Sequence, residues 1–108
     1  VKSKLWLKKK YCRKLVRDKI PTLLEEQGKK FKSRKATDKS YLGFLAKKMG
    51  EVTRQFKKDP TPLNVAEMHE VMWAIELYMS HTHWEWMARI AEEKGRYSNQ
   101  TILEWVEE

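Results

Sequence analysis

Between Leu63 and Met79 almost every residue is apolar, and two carboxylates, Glu67 and Glu70, sit in the middle of the run. A helix that is apolar nearly all round is a buried helix. Glutamate rarely enters a core without a partner, and a spacing of three places both acids on one helical face. The stretch therefore predicts a helix packed inside a larger body, carrying acids that need a metal, a cation or a polar cavity. It falls short of the roughly 20 apolar residues of a membrane span, so no membrane partner is expected.

The flanking sequence reads as helices too. Pro21 suits a first turn, Asp18 has a cap-like side chain just upstream, and Gly28 ends the segment. Asp38 reads as the N-cap of a second helix, in which Tyr41, Leu45, Met49, Val52 and Phe56 share one face. Asp59-Pro60-Thr61-Pro62 stops it, and the third helix starts near Leu63 or Asn64. Ser80 to His83 form a connection; Trp84, Met87, Ala88 and Ala91 make the stripe of a fourth helix, closed by Gly95. The tail from Tyr97 is compatible with extended or helical backbone. With no hairpin signal and no alternating run, the expected fold is all-α: a small antiparallel helical bundle, completed by homodimerisation.

At 108 residues one domain is expected, residues 14–108, preceded by a basic arm, residues 1–13. In that arm Leu5, Trp6 and Leu7 could anchor the chain while Lys8 to Lys10 stay solvated. Charge divides unevenly. Residues 1–60 hold 20 Lys and Arg against 6 Asp and Glu, whereas residues 61–108 hold 3 against 9. Such a basic half suits phosphates, whether of a nucleotide or of nucleic acid. Cys12 has no partner for an internal disulfide, and the N-terminus lacks an apolar signal core; both fit a cytoplasmic setting. His69, His81 and His83 do not make a zinc signature.

The string Lys14-Leu15-Val16-Arg17-Asp18-Lys19-Ile20-Pro21 resembles the opening of small MazG-like and phosphoribosyl-ATP-pyrophosphohydrolase-like proteins, the all-α nucleoside triphosphate pyrophosphohydrolases. Gly28-Lys29, Arg34, Asp38 and Tyr41 follow in register, then Lys48-Met49-Gly50-Glu51, Gln55-Phe56, Glu67-Met68-His69-Glu70 and Glu93-Lys94-Gly95-Arg96-Tyr97. The resemblance covers about residues 14–104. It implies Mg2+ held by Glu-Glu-x-x-Glu on one helix and Glu-x-x-Asp on the next, because magnesium takes hard oxygen ligands and brings substrate phosphates with it.

Here the pattern departs from the family's. Glu51 matches the first acid, but Val52 and Gln55 stand in place of the second and third, and Glu70 in place of the aspartate. The resemblance thus implies residual catalytic positions at Glu51, Glu67 and Glu70. It implies a weakened metal set of Glu67, Glu70 and Gln55, and phosphate contacts at Lys29, Arg34 and Lys19.

The resulting expectation is a decayed magnesium site with weak or absent hydrolysis, in a protein that still binds a nucleotide or another phosphorylated ligand. Two rivals stand beside it: an active, divergent Mg2+-dependent pyrophosphohydrolase, and a nucleic-acid-binding module using the basic half. For Glu67 and Glu70 the alternative is a structural ion pair with Lys or Arg of that half. For Arg17 and Asp18 a structural network is preferred.

Overall fold

Among the described residues the chain forms four helices and no strand. The computed structural model describes residues 8–80 and 83–108. Helix α1 spans Ile20–Glu26, α2 Asp38–Lys58, α3 Pro62–Met79 and α4 Trp84–Lys94. The expected all-α class is thus observed. Among the described residues no helix is long and apolar enough to cross a membrane.

Pro21 lies in the first turn of α1 as expected, but Asp18 does not cap it. Lys19 holds the N-cap position with helical backbone and no side-chain bond, which leaves Asp18 one residue too early to reach the free amides. At the other end Gly28 adopts φ +70°. Its N–H donates to Glu25 O and that of Lys29 donates to Leu24 O, the paired closure that a left-handed glycine permits.

The N-cap of α2 is Thr37, one residue before the aspartate that the sequence suggested. Its hydroxyl accepts from the Ser40 N–H while Ser40 Oγ accepts from the Thr37 N–H, a reciprocal box. Asp38 becomes the first helical residue, where its charge meets the positive end of the helix. Thr61 caps α3 by accepting from the Asn64 N–H at 3.3 Å.

The expected face of α2 is the packed one. Leu45 is fully buried and Val52 nearly so, with Tyr41, Met49 and Phe56 half-buried around them. These residues meet α3, whose Val71 is the third buried side chain among the described residues. Tyr41 and Tyr78 stack edge-to-face at 5.5 Å, and Tyr78 Oη donates to Asp38 O. The start of α2 thus lies against the end of α3, and the two form an antiparallel hairpin.

The hairpin leaves much apolar surface open. Among the described residues α2 and α3 are the only helices in mutual contact. The radius of gyration is 19.6 Å, against about 13 Å for a compact domain of roughly 100 residues. Helix α4 forms where expected and ends at Gly95 (φ +81°), yet Trp84, Trp86, Met87 and Ile90 remain exposed. The tail beyond Gly95 is irregular and solvated, neither helix nor strand. Lys8 to Lys10 are exposed as expected; Leu5, Trp6 and Leu7 lie outside the described residues, as does His81.

Candidate functional site

The two central acids are not sealed in a core. The Glu67 side chain is 36% exposed and that of Glu70 47%. The apolar run around them predicted burial. Among the described residues α2 is the one helix packed against α3, and both acids keep part of their surface open.

Their cation comes from the segment preceding α1. Arg17 Nη2 is 3.1 Å from Glu67 Oε1, and Arg17 Nη1 is 3.9 Å from Glu70 Oε1. A planar guanidinium with forked donors suits two carboxylates one helical turn apart. An ion pair with a cation of the basic half is the alternative weighed for these acids, and Arg17 makes it here at partly exposed side chains.

Glu51 is engaged in the same way by other residues. Its Oε1 receives Lys48 Nζ at 3.3 Å, three residues back on α2, and Lys14 Nζ at 3.5 Å. Burial works to raise the Glu51 carboxyl, but the hydrogen bond and charge of Lys48, with Lys14 adding to them, hold it below the ordinary glutamate value. Lys14 and Arg17 therefore tie the irregular N-terminal segment to α2 and α3 through three acids.

The remaining expected site residues are scattered. Val52 points into the core, and Gln55 is exposed on α2. Lys19 and Lys29 are exposed at the two ends of α1, and their side chains make no ion pair among the described residues. Arg34 lies with its guanidinium 5.9 Å from the centre of the Phe44 ring, a cation–π contact against α2. Cys12 is exposed and unbonded to another sulfur.

These donors do not fit magnesium as the resemblance implies it. Magnesium asks for several hard oxygens in near-octahedral array. Glu67 and Glu70 already face Arg17, Glu51 faces two lysines, and Val52 offers no oxygen. Among the described residues no three His, Cys, Asp or Glu side chains gather into a metal-binding group.

Of the pairing cations, Arg17 was expected in a structural network, whereas Lys14 and Lys48 were assigned no role. A signal for Lys48 was present, since it lies three residues from Glu51 on one helix. Lys14 gave none, because its partner is 37 residues away. No protein-family model, curated protein or solved structure matches this chain.

Proposed function

We propose that the chain is a MazG-like all-α protein that binds a nucleotide or another phosphorylated ligand without hydrolysing it, and that it acts as a homodimer. The observation that carries this reading is the pairing of the would-be metal acids with cations. Each of Glu51, Glu67 and Glu70 is matched to a cation of the chain itself, and Val52 is a core residue. A divalent ion would have to displace Arg17 before it reached a pair of carboxylates, and hydrolysis needs that ion to offset the charge developing on the phosphates. The basic half, freed from a metal-dependent reaction, remains suited to phosphate.

Dimerisation is supported by the open face of α3. Leu63, Ala66, Glu70, Trp73 and Leu77 are all exposed and recur at alternating steps of three and four. That is the seam spacing by which one helix meets another. A second copy offers the same seam and completes a bundle that one hairpin leaves half built.

The test is pyrophosphate release from a panel of nucleoside triphosphates with Mg2+ or Mn2+, alongside thermal-shift measurements. Ligand-induced stabilisation without turnover is the expected result. Turnover at an enzyme-like rate, abolished by Glu67→Ala, would establish the divergent hydrolase instead.

One observation favours nucleic acid as a second reading. Among the described residues only Lys14, Arg17 and Lys48, of all the cations between residues 8 and 58, stand within 4 Å of a carboxylate. A salt-sensitive oligonucleotide affinity that outranks every nucleotide would support it.

A further inference from the structure

The segment 12–15 and one face of α2 enclose a cleft of about 210 Å3. Its walls carry five cations, Arg13, Lys14, Lys47, Lys48 and Arg54, and a single acid, Glu51. Phe44 and Leu15 supply apolar wall. On α2 the positions Phe44, Lys47, Glu51 and Arg54 succeed one another at steps of three, four and three, so one helical face builds one side of the cleft. The irregular segment supplies the other.

Glu51 neutralises little of this charge. Lys14 and Lys48 share one of its oxygens, and each ammonium keeps further N–H donors. Lys48 is mostly covered, its side chain 20% exposed, so its charge is held in place. Lys47 and Arg54 have no carboxylate within 4 Å among the described residues. Converging cations with an excess over their counter-charge, some anchored by packing, are what an anionic group requires. The volume lies below the roughly 300–1,000 Å3 that encloses a whole drug-sized ligand. It suits a di- or triphosphate group, with the rest of the molecule projecting beyond the rim. Arg34 lies over the ring of Phe44, which lines the cleft.

We propose that this cleft is an oligophosphate site, taking the di- or triphosphate end of a small phosphorylated ligand, and that it is separate from the Glu67–Glu70 pair. It rests on the phosphate-binding part of the reading above, and neither on the loss of hydrolysis nor on dimerisation. In this site Glu51 is an internal counter-ion that opposes the ligand. A metal-ligand role would have it assist.

The full chain is titrated calorimetrically with inorganic tripolyphosphate, inorganic phosphate and an oligothymidylate. Tripolyphosphate is expected to bind more tightly than phosphate. The double variant Lys47→Gln/Arg54→Gln, altered at side chains that carry no ion pair of the fold, is expected to weaken it roughly tenfold or more. Glu51→Gln is expected to tighten it roughly two- to fivefold, with no divalent ion present. Binding that is indifferent to both variants overturns the cleft while leaving phosphate binding elsewhere intact. No tripolyphosphate binding by the unaltered protein overturns the cleft and the phosphate-binding reading together. Affinity for the oligothymidylate alone also overturns the proposal, in favour of nucleic acid.

Discussion

Arg17 reaches two acids of α3 with one guanidinium, at 3.1 Å from Glu67 Oε1 and 3.9 Å from Glu70 Oε1. The acids thereby acquire their positive partner from within the chain. The same contact fixes where the segment before α1 runs, since Arg17 lies three residues ahead of that helix and the acids lie on α3. Local chain path and acid neutralisation are one interaction here.

Replacing Arg17 by alanine separates these effects. Both acids are partly exposed, so the stability lost is expected to stay within about 1 kcal/mol. The unpartnered carboxylates should then attract cations. Millimolar Mg2+ is expected to raise the urea midpoint of Arg17→Ala more than that of the unaltered protein. An equal response in the two proteins would show that Arg17 does not compete for the acids' cation position.

Glu51 yields a pH dependence with a definite sign. Its carboxyl is held below the ordinary value when folded. The folded state therefore gains from its ionisation at pH above the ordinary glutamate value, and that gain is lost as pH falls through the lowered value. The stability difference between the unaltered protein and Glu51→Gln is expected at neutral pH, small because the side chain is 42% exposed. It should vanish under strong acid. Denaturant melts of both proteins across pH 2 to 7 measure it.

Two glycines interrupt α2. At Gly43 an added Cβ meets nothing within 4 Å; at Gly50 it meets the Arg54 guanidinium at 3.3 Å, the movable end of a long side chain. Alanine at either position is expected to stabilise by roughly 0.5–1 kcal/mol through helix propensity. The gain at Gly43 should be the larger, because Arg54 need not shift. Gly28→Ala should destabilise by about 1 kcal/mol, since φ +70° there is costly for any side chain. Thermal melts of the three variants order them.

The helices were legible because their signals are local. Proline in the first turn of α1, glycine after α1 and α4, and the repeat from Tyr41 to Phe56 each act within a few residues, and the cap shifts at Thr37 and Lys19 amount to one position. What covers α3 was not legible. An all-round apolar helix states that it needs neighbours and does not say whether they belong to its own chain. The Lys14–Glu51 contact was hidden for a different reason. It depends on the route of an irregular segment with no periodic pattern, across 37 residues of sequence. The basic face of Lys47 and Arg54 was visible at helical spacing, but charge on a helix reads as solvated until a second wall stands opposite it.

The seam on α3 makes the last prediction. Trp73 is 58% exposed and Leu77 60%, one turn apart, with Leu63 and Ala66 continuing the line toward the helix start. Core packing in the hairpin rests on Leu45, Val52 and Val71, none of which lies on this line. Trp73→Glu/Leu77→Lys should therefore leave the α2–α3 hairpin intact while abolishing association between copies. Sedimentation analysis is expected to give a dimer for the unaltered protein and a monomer for the double variant, with helical content by circular dichroism retained in part. Leu45→Ala serves as the contrast. It empties the one fully buried position among the described residues, where such a truncation costs about 2–5 kcal/mol, and should unfold the chain whatever its association state. A monomeric unaltered protein would mean that the apolar seam awaits a different partner.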